Sequence, residues 1–457
     1  MTLIKKIDNP DKIFDRENLW DSYLKVEGEL ALAQSQVGII PKKAAKEISK
    51  NAKLNVVGLK NIEKSFKITK SLILSIVQEL SKKCNKDSGG YVHWGGTTRN
   101  VIDTGRNLLI REAHRNILDN LSLSIKKLSV LSGLYSETPM LGRTMGQNAV
   151  PISFGFKVSG WIESLMRLDK KFIDAEKSLF CLYFGGAVGA MHGFNGKGQA
   201  LTKQLAKNLG FNNSLVPNRT SLETSIDYLL SLSFQGMIIG KIANEIYSLM
   251  SQSIGEISEK QTKGQVGSST MPHKVNPFIV LTVIEESALL RGKVSSSIEA
   301  GMPLHEGDLR YNKIIDNLIK ESTTLSLRLF NNFNILLDNL NINYKKMEDN
   351  LLSEKDYIAS ENLMYNLAEH IGRQDAHDKI HSVIQKSMTK NISVMESLAK
   401  DKTISNFFTT LQIKEIMNPL KYIGESKKIS LNVKNVSLKY VQKIIKRASS
   451  FDLLVRS

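Results

Sequence analysis

Cysteine is nearly absent from this chain. Cys84 and Cys181 stand alone in 457 residues, too few for a disulfide framework or a thiolate zinc cluster. Both read as reduced thiols of a cytoplasmic protein. Long apolar runs are missing as well. Nothing approaches the ~20 apolar residues of a membrane helix, and residues 1–6 lack the apolar core of a signal peptide, so no membrane partner is expected. Acidic residues are in deficit, with 45 Asp and Glu against 62 Lys and Arg for a formal net charge of +17. Such a balance raises nucleic acid as a partner, but the lysines are scattered and no basic block is interleaved with aromatics. Nucleic-acid binding is therefore not expected. Two explanations of the charge stay open: a basic surface that concentrates small anionic substrates near clefts, or a lysine-rich composition with no partner behind it.

Proline is scarce too, with nine in all, at positions 10, 41, 139, 151, 217, 272, 277, 303 and 419. Because proline removes a helical donor and clashes with the preceding turn, its spacing leaves 42–138, 152–216, 218–271 and 304–418 free to form long helices. Between Ser221 and Glu259, apolar residues recur from Ile226 to Ile257 in steps of three, four and seven. That stripe is helical and predicts an element about 55 Å long, a bundle member. Similar patterns run through 104–135, 154–180, 278–300 and 310–340, and no stretch sustains strand alternation. The chain reads as mainly α, with 41% hydrophobic and 23% charged residues befitting a folded protein. Its length suggests roughly two to four domains. Three helical regions follow: 1–105, a central long-helix bundle over 106–345, and a lysine-rich 346–457.

The most distinctive stretch is Gly267-Ser268-Ser269-Thr270-Met271-Pro272-His273-Lys274-Val275-Asn276-Pro277, preceded by Gly264. Glycine and proline punctuate it, and its hydroxyls compete for backbone hydrogen bonds, so it is a loop. It resembles the signature loop of the fumarase/aspartase superfamily. Two further blocks appear in the expected order: Tyr91-Val92-His93-Trp94-Gly95-Gly96-Thr97-Thr98-Arg99-Asn100, and Gly142-Arg143-Thr144-Met145-Gly146-Gln147 followed by Pro151 and Phe154-Gly155-Phe156-Lys157. The first is similar to the block shared by adenylosuccinate lyase and 3-carboxy-cis,cis-muconate cycloisomerase. "LYFGGAVGA" from Leu182 and "ENLMYNLAEHIGRQDAH" from Glu361 extend the likeness over most of the chain. The resemblance implies a homotetramer with a central helix bundle and active sites built from the loops of three subunits.

It also implies roles. The shared reaction removes a proton beside a carboxylate, so the doubly charged intermediate must be stabilised where it forms. Ser268 matches the catalytic base, a hydroxyl that needs amides, a lysine or a helix start to support its alkoxide. A helix is expected just after Pro277. Lys274 and Asn276 match the substrate-carboxylate ligands, and Thr97, Thr98, Asn100, Thr144 and Gln147 supply further donors. His93 either binds an anionic group of the substrate or serves as a structural hydrogen-bonder. His273 receives no role, and no metal or organic cofactor is implied.

Two departures matter for the substrate. Most members carry histidine where this chain has Met145, paired with a glutamate where it has Leu281. Both halves of a charged pair are replaced by apolar residues, which avoids stranding one polar partner, and the site keeps its proton acceptor without its usual donor. The N-terminal Arg-Tyr becomes Phe14-Asp15, and the later block reads His305-Glu306-Gly307-Asp308, with Arg310 nearby. Nucleotide contacts are thus altered. The expectation is a lyase acting on a small dicarboxylate-containing substrate, eliminating from a succinyl-type adduct to give a fumarate-like product. Cycloisomerisation of a carboxymuconate-like compound is the alternative, and a non-catalytic homotetrameric relative the second.

Overall fold

The computed structural model describes residues 7, 9–261, 264, 267–271 and 273–453, with Asp452 and Leu453 described in backbone alone. Seven helices organise it: α1 (Arg16–Gln36), α2 (Thr98–Leu134), α3 (Phe154–Leu179), α4 (Glu223–Leu249), α5 (Phe278–Arg291), α6 (Leu309–Asp338) and α7 (Ser426–Leu453). α2 packs against α1, α3, α6 and α7, while α4 lies against α3, α5 and α6. One apolar core, from Ile13 to Phe451, runs through this bundle. The fold is mainly α, as the proline spacing implied.

Local chemistry sets the helix starts. Asp15 caps α1 through the Asn18 amide at 2.9 Å, and Ser153 caps α3 through the Phe156 amide at 3.1 Å, each satisfying a donor that the helix leaves open. Gly155 lets α3 approach the end of α2, because a Cβ there would lie 2.3 Å from the Ser132 carbonyl oxygen. The residues after 346 divide between two cores. A separate apolar cluster that includes Leu363, Leu367, Ile380, Leu398 and Ile413 forms a small helical unit, whereas α7 returns to α2 and α3.

Two expectations need correction. The stripe over Ser221–Glu259 is not one helix: α4 stops at Leu249, 27 residues after it begins, roughly 40 Å. Gly255 then takes a φ of +63° and Ile257–Glu259 pairs antiparallel with Leu340–Ile342. Ile257 is buried there as a strand residue, so the apolar stripe outlasted the helix. The stretch 139–153, in which no strand alternation was expected, is largely an antiparallel hairpin, β1 (Pro139–Thr144) and β2 (Gln147–Ser153). Prolines and a register shift between Leu141 and Arg143 hide its alternation. Its two-residue tip, Met145-Gly146, has φ of +52° and +76°, the left-handed pair that tight hairpins favour. Among the described residues, no helix is long and apolar enough to cross a membrane.

Candidate functional site

The sequence-selected residues fall into three clusters. The first lies where the 91–97 turn enters α2. Asn100 is buried on the first turn of α2, donating from Nδ2 to the Tyr183 carbonyl at 3.1 Å and accepting from the Gly186 amide at 3.0 Å. It thereby ties "LYFGGAVGA" to the helix start. Thr97 is the N-cap of α2 yet makes no capping bond through its side chain, and Thr98 is exposed, so neither hydroxyl is taken up by capping. The turn itself is held from outside. Gln34 donates to the Trp94 carbonyl at 2.6 Å, and the Trp94 indole to the Gly193 carbonyl at 3.1 Å.

His93 sits in this turn with a φ of +63°, a region costly for a non-glycine residue. Its Nδ1 lies 2.6 Å from Oε1 of Glu27, a wholly buried residue of α1. Burial opposes the imidazolium, but the hydrogen bond and negative charge of Glu27 outweigh it and push His93 above the ordinary histidine range.

Beneath the cluster, Arg99 and Arg106 of α2 grip Asp316 of α6, and both also engage Asp103. Burial works against the Asp316 carboxylate, yet the two guanidiniums hold it down at about 2. These four charges join α2 to α6 near the site.

The hairpin tip forms the second cluster. Thr144 and Gln147 face each other across the last rung, with Met145 fully exposed between them. The stem is clamped: Arg143 donates twice to the buried Glu256 carboxylate, at 3.0 and 2.6 Å, and Asn350 adds a third bond at 2.9 Å. Asn148 reaches Glu354 at 3.0 Å. A rigid stem therefore carries an apolar tip into solvent.

The third cluster is the loop before α5. Ser268 Oγ accepts hydrogen bonds from the Met271 amide at 3.1 Å and, more weakly, the Thr270 amide at 3.4 Å. Amides aimed at the oxygen are the support that an alkoxide requires. Asn276 donates to the Gly267 carbonyl at 2.9 Å, and a Cβ on Gly267 would lie 2.6 Å from the Lys274 carbonyl oxygen, so glycine lets the loop double back. Lys274 is exposed and makes no ion pair among the described residues. Pro272 of this stretch lies outside the described residues. α5 begins at Phe278, as expected, and Leu281 in its first turn is exposed.

The first two clusters stand at opposite ends of α2, and among the described residues no hydrogen bond links His93–Asn100, Thr144–Gln147 and Ser268–Asn276. Sequence reasoning missed the acids that anchor them. Glu27 and Gln34 lie on the stripe of α1 that also buries Tyr23, Leu24, Leu30 and Ala31, and an acid on an apolar stripe was a readable signal. Glu256 carries no such mark, because its partner is distant in sequence.

Comparison with known proteins places the chain in a family. The lyase family model matches residues 7–288, and the model of the adenylosuccinate lyase C-terminus matches 356–433. The chain is 30% identical to the N-acetyl-S-(2-succino)cysteine lyase of Enterococcus italicus over 406 residues, covering 88% of each protein. It is also 30% identical to the adenylosuccinate lyase of Methanocaldococcus jannaschii over 418 residues, 90% of each. The crystal structure of the 3-carboxy-cis,cis-muconate lactonizing enzyme of Pseudomonas putida superposes with a TM-score of 0.85 at 22% identity, covering 95% of this chain and 97% of that one. With its matched signature blocks and long-helix bundle, the chain belongs to the lyase family of the fumarase/aspartase superfamily, with adenylosuccinate lyases among its relatives, and it shares its fold with the muconate lactonizing enzyme.

Proposed function

We propose that this protein is a lyase that removes the proton beside a carboxylate of a 2-succinyl adduct through Ser268 and expels the substituent, leaving fumarate. The observation that carries the reading is the pair of amides on Ser268 Oγ, set in a loop that also presents Lys274 and holds Asn276. Thr97, Thr98, Thr144 and Gln147 supply donors to the substrate carboxylates. Met145 and Leu281 narrow the leaving group. With no proton donor at either position, the substituent must depart as a stable anion. A thiolate, conjugate to an acid of pKa ≈ 8.5, does so far more readily than an amide anion or an alkoxide. A thioether of succinate fits that requirement, and the Enterococcus relative is named for such a compound.

The separation of the clusters supports a homotetramer with shared sites, as do apolar side chains exposed along the bundle: Phe234 and Met237 on α4, Leu281 and Leu289 on α5, Ile314 and Ile335 on α6. Isolated exposed apolar residues are ordinary, but series of them on adjoining helices mark an interface. Free Cys84 and Cys181 suit a cytoplasmic setting.

Proton NMR in heavy water tests the reaction, with 2-succinyl thioethers, 2-succinyl amines and 3-carboxymuconate run beside Ser268→Ala. Fumarate from the thioether with wild type alone is expected. Turnover of carboxymuconate instead establishes the cycloisomerase. No exchange or turnover from an intact tetramer points to a substrate outside this panel or to a non-catalytic relative.

A further inference from the structure

The stretch from Glu361 to His377 carries part of the family resemblance, yet the elimination proposed above uses none of it. The helices Ser360–Ile371 and Arg373–Thr389 pack together in the small C-terminal unit, joined by Gly372 alone with a φ of +83°. Both line a cavity of about 330 Å³, and five of its lining residues come from that stretch. Its size is that of a small-molecule site. None of the residues assigned to the elimination lines it.

The walls sort by chemistry. Arg373, His377 and His381 recur every fourth residue, so one face of the second helix carries all three. The two imidazoles lie parallel with 6.0 Å between their centroids. His377 is held by Asp378, 3.0 Å from its Nδ1. The Arg373 guanidinium and the His381 ring nitrogens have no hydrogen-bond or ion-pair partner among the described residues. Glu361, on the first helix, brings the opposite charge. Its Oε2 accepts from the Tyr422 hydroxyl at 2.8 Å, and no cationic side chain pairs with it among the described residues. Met364 and Ile380 are buried, and Ile384 packs against the same apolar cluster, which gives the cavity an apolar floor.

Glu361 and Arg373 thus line one cavity without pairing with each other. A simple anion there meets repulsion from Glu361, and a simple cation meets it from Arg373. A ligand that carries both charges satisfies both walls. We propose that this cavity binds an α-amino acid with an apolar side chain. Its carboxylate lies at Arg373 and the imidazoles, its ammonium at Glu361, and its side chain over Met364, Ile380 and Ile384. The site is separate from the elimination and does not rest on it.

The test is calorimetric titration of the full-length protein with L-leucine, beside three analogues that each lack one feature. Leucinamide lacks the carboxylate, 4-methylpentanoate the ammonium and glycine the apolar side chain. Leucine is expected to bind with a Kd of about 1 mM or tighter, and each analogue about tenfold more weakly or worse. Arg373→Gln and Glu361→Gln should each weaken leucine by about tenfold. Both side chains are exposed, so neither change opens the core, and the analogue series on wild type needs no variant to fold. No saturable leucine binding up to about 10 mM overturns the proposal. Leucine binding that survives both substitutions places the ligand elsewhere and overturns it too. So does 4-methylpentanoate binding as tightly as leucine, which would make this a plain anion site.

Discussion

Glu259 reaches across the base of the signature loop to Val280. Its carboxylate accepts the Val280 amide at 2.8 Å and the Ile279 amide at 3.2 Å, so the residue just before the loop caps the helix just after it. An acid at a helix N-terminus satisfies open amides and favours the helix dipole. Here it also closes the ring of chain that holds Ser268. Glu259→Ala should destabilise the fold by only about 1–2 kcal/mol, yet lower kcat/KM at least tenfold by loosening the loop. Urea unfolding set beside steady-state kinetics reads both, and an unchanged kcat/KM would rule the anchor out.

Met145 and Leu281 predict a selectivity that can be reversed. Met145→His combined with Leu281→Glu should raise kcat/KM for 2-succinyl amines, whose nitrogen needs a proton to leave, while 2-succinyl thioethers gain little. Competition between the two adducts measures the ratio directly. Activity that appears on both, from an inactive wild type, would instead mark the natural chain as a dead scaffold.

Asp316 supports the first cluster from below. Asp316→Asn removes one charge from a buried group of four and should cost about 3 kcal/mol, with the largest local effect at the α2–α6 contact. The pH dependence follows from the depressed carboxylate at about 2. Its contribution is complete above the ordinary Asp value near 4 and drains away as pH falls toward 2. Wild type should therefore lose stability between pH 4 and 2 more steeply than Asp316→Asn in denaturant titrations. Parallel curves would show that the pair adds nothing.

The hairpin stem makes a proteolytic prediction. Glu256→Ala strands the Arg143 guanidinium and leaves Asn350 only its bond to the Ile254 carbonyl, which should cost about 3 kcal/mol. Trypsin cleavage after Arg143 should accelerate at least tenfold, and mass spectrometry of the fragments locates the cut. A cleavage rate equal to wild type would mean that the stem is held elsewhere.

Much of this was readable from sequence because it depended on local chemistry. Proline spacing and apolar period located α2, α3, α5 and α6, and the punctuation of 264–277 marked the loop. What escaped was set by distant partners or by shape. The end of α4 turns on Gly255, whose left-handed backbone leaves the apolar stripe unbroken. The hairpin owes its register to a bulge and its tip to paired positive φ values, neither of which writes an alternating pattern. Asn100 looked like a substrate donor, whereas its carbonyl and one N–H are engaged with Gly186 and Tyr183. Glu27, Glu256 and Glu259 matter through residues 66, 113 and 21 positions away, and no window along the chain brings those together.

α2 acts as a ruler. It runs without a break for 37 residues from Thr98, about 55 Å, with the His93 turn at one end and the hairpin just past the other. If the sites are shared between copies as proposed above, a chain damaged at His93 and a chain damaged at Thr144 carry complementary defects. Mixed into one assembly, two inactive versions of this protein should repair each other at a fraction of their sites. Co-expression would then recover activity that neither version has alone.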